Sequence, residues 1–439
     1  MSELSTRRRR AALLALALGG FGIGATEFVA MGLLPQIARS LLPELWASSQ
    51  EAALARGGLV VSGYALGVVI GAFTVAVATV RLPRKVAVTG FAVAFTIGSL
   101  LSAAAPTFWL LVAARFVAAL AHGAYFGFAS LIAAAIMGPG NRGKGIAMVL
   151  SGLTVANVIG VPLITMLGQR TNWRVAYLAV AVIFAIATVA IAVAVPRQPG
   201  NPNASIRGEL RVFRRPQVWL ALAIGAIGFG GFFAVYSYVS PIATELAGLS
   251  EGWVPIALVV VGVGMTLGVQ VGGRLADRGA LRALINLYPW YLGALVVLAL
   301  FASEPWVLMV FLFLMAALSS AMMPAIQTRL LDVSGDAQTL ASALNHASLN
   351  IGNSLGAALG GLVISIGLGF SAPAWAGAAL GSWVCCSRSS PACWSGAARA
   401  DSGRANARHP EGRRALSFLR PGGCGPAPAA TGATRRGAP

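Results

Sequence analysis

Charged residues are scarce in this chain of 439 residues, and their scarcity excludes a soluble fold. Only 10% of the residues are Asp, Glu, Lys or Arg, against about 25% in soluble domains, while 57% are hydrophobic. A helix needs about 20 apolar residues to cross the hydrocarbon core of a bilayer. Uncharged runs of that length recur from residue 11 to beyond residue 360. We therefore predict an all-α membrane protein: a transporter, channel, receptor or intramembrane enzyme.

Histidine and cysteine are also few, and their placement argues against catalysis. The three histidines lie on separate segments, at His122, His346 and His409. They supply no convergent Ser/His/Asp or metal cluster, so we expect no enzyme and no metal. The absence of a nucleotide-binding P-loop speaks against an ATP-driven pump, so no cofactor is expected. All four cysteines fall in the last sixth of the chain and do not resemble a disulfide framework.

The formal net charge of +19 reflects topology more than a nucleic-acid partner, which is not expected. Nearly all basic residues lie in short loops between apolar runs or in the C-terminal tail. Counted by loop up to residue 387, 18 Lys and Arg residues fall on the side of the N-terminus and 4 on the opposite side. Cytoplasmic loops are enriched in Lys and Arg. We therefore predict a multi-pass protein of the bacterial inner membrane with a cytoplasmic N-terminus.

Apolar stretches predict twelve helices in two sets of six. The first set is predicted at 12–36, 58–80, 86–105, 107–136, 145–168 and 174–195, and the second at 217–243, 253–273, 282–302, 305–326, 338–366 and 372 onward. The polar segment 197–216 predicts a cytoplasmic linker. The predicted units are an N-terminal bundle at 1–196 and a C-terminal bundle at 217–383.

The chain changes character near residue 382. The predicted twelfth helix has only about a dozen apolar residues before it is interrupted, which is too few to span a bilayer. Residues 384–439 are rich in Ala, Gly, Pro, Arg and Ser without helical periodicity. They predict an aberrant basic tail that arises from a frameshift, with a natural disordered tail as the alternative. Helix 12 is accordingly expected to be incomplete.

The two halves look like repeats of each other. Gly67, Gly71 and Arg81 recur as Gly264, Gly268 and Arg278 at an offset of 197, and Asn157 recurs as Asn353 at 196. Internal repeats are typical of alternating-access carriers. Glycines also recur every fourth residue on helices 2, 8 and 11, and helix 5 has Gly152, Ala156 and Gly160 at the same spacing, which lets helices approach closely in lipid. One interpretation is static packing, and the other is that these four helices form the interface across which the halves rock.

Four segments resemble the drug:proton antiporters of the major facilitator superfamily. Residues 24–28 (GATEF), followed by Pro35, resemble the first helix of these antiporters. Residues 115–127 are similar to the helix-4 motif of an arginine followed by small residues, and residues 152–162 (GLTVANVIGVP) resemble the antiporter motif of helix 5. Residues 273–278 (GRLADR) are similar to the signature cytoplasmic loop. Within the superfamily, the resemblance is to bacterial chloramphenicol-resistance and arabinose-efflux exporters.

This resemblance implies a twelve-helix fold whose six-helix halves are related by a pseudo-twofold repeat. It covers about residues 10–380. The loop after helix 2, residues 80–85 (VRLPRK), lacks the aspartate that the signature loop carries. A gating salt bridge is therefore not supported there.

Glu27 is the first candidate for proton coupling, because carboxylates inside apolar helices usually face the bundle interior as proton or substrate sites. Arg115 is the candidate partner, since both residues lie about 12 Å from the same end of their helices. A structural ion pair is the alternative. His122 follows Arg115 by seven residues on the same face and is a candidate proton relay.

The remaining candidates concern the substrate and the conformational change. Residues that could line a substrate pocket are Asn157, Phe232, Phe233, Tyr236, Asn345 and Asn350. Residues that could take part in gating are Gly160, Pro162, Asp277 and Arg278. For each asparagine, polar contacts between helices are the alternative role.

The sequence therefore favours proton-driven efflux of a small hydrophobic drug, with antibiotic resistance, chloramphenicol included, as the expected phenotype. Export of a sugar or metabolite by the same fold is the alternative, and import ranks third. A lipid bilayer, protons and a small-molecule substrate are the expected partners of a monomeric protein.

Overall fold

The computed structural model describes residues 5–79, 81–138, 142–198, 215–334 and 338–386, and these are almost entirely helical. Within them, eleven helices are long and apolar enough to cross a membrane. In chain order they are α1 (Thr6–Gly32), α2 (Gln50–Val75), α3 (Arg84–Ala104), α4 (Phe108–Met137), α5 (Gly145–Arg170), α6 (Trp173–Ala194), α7 (Pro216–Tyr236), α8 (Glu251–Ala276), α9 (Arg278–Phe301), α10 (Pro305–Leu330) and α11 (Leu344–Ser365). A shorter helix, α12 (Ala372–Cys386), follows. The prediction of an all-α, twelve-helix membrane fold agrees with this arrangement.

Several spans are longer or less regular than predicted. The span α2 lies within two consecutive helices, Gln50–Gly57 and Leu59–Thr79. It begins before the predicted residue 58 because the Ser49 side chain caps it by accepting from the Ala52 N–H at 3.1 Å. The helices that contain α10 and α11 extend over Pro305–Ser334 and Gln338–Ser365.

Two spans are interrupted near their middle. The span α4 consists of Phe108–Ala119 and His122–Met137. The helix of α5 begins at Arg142, passes through a π-helical turn at Ala156–Gly160 and continues as Val161–Arg170.

The spans α8 and α9 belong to one helical run, Val254–Phe301, whose backbone leaves the helical conformation at Gly279. Gly279 has φ 152°, a conformation that favours glycine. Short helices connect other spans: Leu34–Leu41 and Pro43–Ser48 precede α2, while Val239–Pro241 and the π-helical turn Ile242–Leu246 follow α7. The first turn of α8, Glu251–Trp253, is a 3₁₀ turn.

Two predicted segments fall mainly on residues without a structural description. Residues 199–214 of the predicted linker lie outside the described residues, as do residues 387–439 of the predicted tail. The boundaries at 196, 217 and 383 therefore stay predictions.

The glycine stripes pack within each half of the chain, where the first half is α1–α6 and the second is α7–α12. A Cβ added to Gly67 would meet the backbone of α4, and one added to Gly268 would meet that of α10. Likewise, Gly152 lies against the backbone of α1 and Gly356 against that of α7. The four helices that carry the stripes do form the contact between the halves, as the second interpretation expected, but the stripes themselves face neighbours within their own half. That the halves rock across this contact stays a prediction.

These contacts reveal how the halves correspond. The packing of α2 on α4 is repeated by α8 on α10, and the packing of α5 on α1 is repeated by α11 on α7. Each half therefore brings its helices together at the same close approaches, as the predicted repeat requires.

The halves meet where α2 lies beside α11 and where α5 lies beside α8. Ser62 on α2 and Ser354 on α11 exchange two hydrogen bonds, each from the hydroxyl of one to the backbone carbonyl of the other at 3.4 Å. Gly262 on α8 lies so close to α5 that a Cβ there would meet the carbonyl of Asn157.

Further contacts join the halves at the end of the bundle where α1 ends, called the Gly32 end below. The side chain of Gln36 donates to the Glu251 carboxylate at 3.4 Å, and that of Gln169 donates to the Glu251 carbonyl at 3.2 Å. A cavity of about 410 Å³ lies between α2 and α11 at this end, and its lining includes Ala52 and Ser365. These contacts hold the two halves together at the Gly32 end.

Candidate functional site

Glu27 is buried in α1, with 6% of its surface exposed. The surrounding turns of α1 consist largely of small residues, so that α5 and α6 pack closely on this helix. The Glu27 carboxylate accepts a hydrogen bond from the side-chain amide of Asn353 on α11, with 3.4 Å between Nδ2 and Oε1. Since Asn353 belongs to the second half, the acid of the first half lies directly at the contact between the halves.

Arg115 on α4 reaches α1 at the level of Glu27. Its guanidinium donates to the Thr26 hydroxyl at 2.8 Å and to the backbone carbonyl of Glu27 at 3.4 Å. The side chain of Arg115 is 1% exposed. Among the described residues, these two oxygens are its hydrogen-bond acceptors, so Arg115 bonds to the backbone of Glu27 and not to its carboxylate.

Two tyrosines enclose the guanidinium of Arg115. The ring centroid of Tyr64 on α2 lies 4.1 Å from the Arg115 Cζ atom, and that of Tyr177 on α6 lies 5.5 Å from it. Aromatic faces attract a cation electrostatically, by about 2 kcal/mol when the pair is desolvated. The site therefore holds a buried positive charge without a direct carboxylate contact.

His122 joins this cluster through Tyr64. The Tyr64 hydroxyl and His122 Nδ1 are 3.1 Å apart, and His122 is buried. On its other side, His122 packs against Phe126, whose ring stacks on that of His346 from α11 at 5.7 Å. Glu27, Arg115 and His122 are thus brought together, with Tyr64 between the last two.

Aromatic residues of α7 lie beside α1. The rings of Tyr236 and Phe28 are 5.6 Å apart, so they form an aromatic pair between the halves. Phe232 lies 5.1 Å from Tyr236 and 5.0 Å from Phe233, and all three α7 rings are buried. The structure brings these three predicted pocket residues together, adjacent to Glu27 along α1.

The three predicted asparagines bond to residues other than the aromatic side chains of α7. Asn345 donates to Gln327 on α10 at 2.6 Å, and Asn350 donates to the carbonyl of His346 in its own helix. Asn157 lies 3.8 Å from the Met265 sulfur on α8. The Oδ1 atoms of all three are buried and have no protein partner among the described residues.

The predicted gating residues lie at two separate places. Gly160 ends the π-helical turn of α5, where its Cα faces the ring of Phe21 on α1, and Pro162 follows two residues later. Because proline has no backbone N–H, the series of α-helical hydrogen bonds is interrupted at Pro162. Single π-helical turns inside α-helices are frequent at functional sites. Arg278 is exposed beside the turn at Gly279, while the side chain of Asp277 lies outside the described part of the structure.

The sequence interpretation missed Tyr64 and Tyr177 and used Asn353 only as a mark of the repeat. A tyrosine in an apolar helix carries no pattern that distinguishes a partner of Arg115 from a packing residue. The offset of 196 from Asn157 was the one signal for Asn353. Among the described residues, no group of three or more metal-ligating side chains lies together.

Comparison with known proteins identifies relatives over most of the chain. The family model of the Major Facilitator Superfamily matches residues 16–292. The inner membrane transport protein YdhP of Escherichia coli K12 is 35% identical over 82% of this chain and 90% of its own length. A chloramphenicol resistance protein of Streptomyces lividans is 33% identical over 82% of this chain and 91% of its own length.

A solved structure has the same fold. The crystal structure of a D-xylose-proton symporter matches with a TM-score of 0.65 at 16% sequence identity, over 85% of this chain and 96% of that chain. At this identity, the likeness concerns the fold alone.

Proposed function

The chain belongs to the major facilitator superfamily and is a multi-pass membrane transporter, and we propose that it exports a small hydrophobic, chloramphenicol-like drug in exchange for protons. The observation that carries this proposal is the position of Glu27. A buried carboxylate that contacts the opposite half through Asn353 can link a change of charge to a movement of the halves. The chloramphenicol resistance protein among the relatives supports the substrate class.

Proton and drug compete for the ionised form of Glu27 in this mechanism. Arg115 favours that form by its positive charge, while its hydrogen bonds hold the backbone of α1 in place. Protonation removes the attraction between Glu27 and its surroundings and lets the halves rearrange. His122, bonded to Tyr64 beside Arg115, serves as the relay that passes the proton.

Alternating access requires that the two ends of the bundle open in turn. The bias of Lys and Arg assigns the Gly32 end to the outer side of the bacterial inner membrane. The contacts of Glu251 and of the Ser62 and Ser354 pair then close the outer side. The transporter works as a monomer, is driven by the proton gradient and needs no cofactor or catalytic activity.

The drug binds beside the aromatic residues of α7. Phe232, Phe233 and Tyr236, together with Phe28 on α1, offer an adaptable apolar surface next to Glu27. Large aromatic surfaces with a few polar groups are typical of small-molecule sites. Asn157, Asn345 and Asn350 supply additional acceptors through their unpartnered Oδ1 atoms.

The test is accumulation of labelled chloramphenicol in an efflux-deficient host that expresses the chain, with and without a proton uncoupler. Exclusion that the uncoupler abolishes would support proton-driven drug export. The Glu27→Gln variant should lose this exclusion, while Glu304→Gln, at an exposed acid between α9 and α10, serves as the matched control. Full proton-coupled export by Glu27→Gln would overturn the role of Glu27.

Export of a sugar or metabolite is the second candidate. It is favoured by the three asparagines whose Oδ1 atoms are buried without a described partner, because such acceptors suit hydroxyl groups. The same host should then exclude labelled sugars in an uncoupler-sensitive way but not chloramphenicol.

A further inference from the structure

Asn353 is the point at which the second half touches the acid of the first. Its Nδ2 atom donates to the Glu27 carboxylate at 3.4 Å, and its Oδ1 atom is buried without a partner among the described residues. Its neighbour Ser354 exchanges hydrogen bonds with Ser62. Two consecutive residues of α11 therefore bond to α1 and to α2.

The repeat partner of Asn353 makes no comparable contact. Asn157 faces the thioether of Met265, a weak acceptor that carries no charge. At the offset that relates α1 to α7, Phe233 is the partner of Glu27. The charge-sensitive contact is thus present on the α11 side of the interface and is replaced by an uncharged one on the α5 side.

The strength of the Asn353 hydrogen bond depends on the charge of Glu27. An ionised carboxylate accepts from Nδ2, and hydrogen bonds to charged groups are about twice as strong as neutral ones. Once protonated, Glu27 offers a weaker acceptor, and its own hydroxyl can be satisfied only if the amide of Asn353 turns to present Oδ1. Protonation therefore weakens the bond that holds α11 against α1.

We propose that Asn353 is a positioning residue that keeps the Gly32 end closed while Glu27 is ionised and no substrate is bound. This inference rests on the proposed function. An empty, deprotonated antiporter must not change its orientation, because that step would dissipate the proton gradient without exporting substrate. The Asn353 amide prevents this step, because its hydrogen bond to the ionised Glu27 stabilises the closed contact between the halves. A proton or a substrate at Glu27 releases the contact.

Other titratable or charged groups lie near Glu27, and their effects on a pH response have to be distinguished from that of Glu27. They are Arg115, His122 and Tyr125 on α4, Tyr64 on α2, Tyr177 on α6, Tyr236 on α7 and His346 on α11. The segments of α5 and α8 at this depth, residues 145–168 and 254–273, carry no ionisable side chain. Histidine is the other side-chain type that changes charge between pH 5 and 8, so the test includes a background that lacks the Glu27 carboxyl.

The experiment measures closure of the Gly32 end directly. Cysteines are introduced at Ala52 and Ser365, which line the same cavity between α2 and α11, after the four natural cysteines are replaced by serine. Cross-linking of this pair by a short bis-maleimide is measured in membranes from pH 5 to 8. Closure should fall on acidification, by about five- to tenfold in the ratio of closed to open forms.

The variants distinguish a charge-sensitive contact from simple packing. Asn353→Ala and Glu27→Gln should each show at pH 8 the low closure that the parent shows at pH 5. The double variant should show the same closure as each single variant. Ser348→Ala, which removes another buried bond of α11, to the Leu222 carbonyl, should keep the pH response of the parent.

A second variant keeps the test decisive if Asn353→Ala does not fold. Asn353→Asp places two acids in contact, so closure should be poor at pH 8 and should improve on acidification, opposite to the parent. A parental pH response in Asn353→Ala or Asn353→Asp would overturn the proposal. So would a further loss of closure when Asn353→Ala is added to Glu27→Gln, as large as the loss that Asn353→Ala causes in the parent. Loss of uncoupler-sensitive drug exclusion with this closure pattern intact would instead overturn drug export.

Discussion

Arg115 holds Glu27 by its backbone: the guanidinium donates to the Glu27 carbonyl at 3.4 Å and to the neighbouring Thr26 hydroxyl at 2.8 Å. A planar guanidinium can bond two acceptors at once while it stacks on an aromatic ring. This arrangement places a positive charge beside the carboxylate without occupying it. In the proposed mechanism, Arg115 can therefore hold α1 in place while the Glu27 carboxylate exchanges a proton.

Arg115→Lys should lower uncoupler-sensitive export by about tenfold or more. A single ammonium group cannot reproduce both hydrogen bonds, and a bond to a charged group contributes about 1.5 to 3 kcal/mol. Drug accumulation in cells with equal amounts of membrane-inserted protein measures the effect. Arg56→Lys, at an exposed arginine above Trp109, is the control and should export normally. Equal export by both variants would contradict the role given to Arg115.

The two functions of Tyr64 can be separated. Tyr64→Phe keeps the ring 4.1 Å from Arg115 but loses the hydroxyl that meets His122, whereas Tyr64→Leu loses both. A desolvated cation–π contact is worth about 2 kcal/mol, so Tyr64→Leu should reduce the export rate by about 30-fold. Tyr64→Phe should retain most of the rate and change its dependence on external pH. A rate for Tyr64→Phe as low as that for Tyr64→Leu would show that the His122 contact matters more.

The close packing of α2 on α4 predicts a difference between two glycines. A Cβ at Gly71 would meet the backbone of Leu120, while one at Gly90 on α3 meets nothing within 4 Å. Gly71→Ala should therefore destabilise the purified protein by about 1 to 3 kcal/mol and lower its thermal unfolding midpoint. Gly90→Ala should be neutral or slightly stabilising, since alanine is the better helix former. Equal midpoints would contradict the close approach.

The aromatic pair between the halves predicts an effect on substrate binding. Tyr236→Leu breaks the pair with Phe28, whose ring centroid lies 5.6 Å away. Phe91→Leu breaks a pair with Phe128 inside the first half at a similar distance, 5.7 Å. Tyr236→Leu should raise the apparent KM for the drug about tenfold with a smaller effect on the maximal rate, because one aromatic contact and its burial contribute about 1 to 2 kcal/mol. Phe91→Leu should leave KM near the parental value. A larger KM change for Phe91→Leu would place the drug elsewhere.

Much of the fold could be predicted from the sequence because the bilayer leaves few alternatives. Every backbone polar group in lipid has to be satisfied within a helix or a closed barrel. Long apolar runs therefore predict helices, and their number and order agree with the structure. The start of α2 was missed because Gln50–Gly57 contains polar residues and depends on a local cap by Ser49.

The candidate site was predictable in part. A single carboxylate within the apolar α1 and a single guanidinium within α4 were conspicuous against their surroundings. Helical rise alone placed Glu27 and Arg115 at a similar depth. It could not show that Arg115 bonds the carbonyl of Glu27, nor that Tyr64 lies between Arg115 and His122.

The sequence by itself therefore determined the membrane class, the repeated halves and the identity of the buried acid, because composition and spacing act along the chain. The tertiary structure alone decided that the glycine stripes pack within each half and that Asn353 meets Glu27. The physical reason is that these helices are apolar on nearly all faces, so hydrophobic periodicity does not distinguish lipid from protein neighbours. Which helix lies beside which is settled by close packing and by a few polar contacts between residues far apart in the chain.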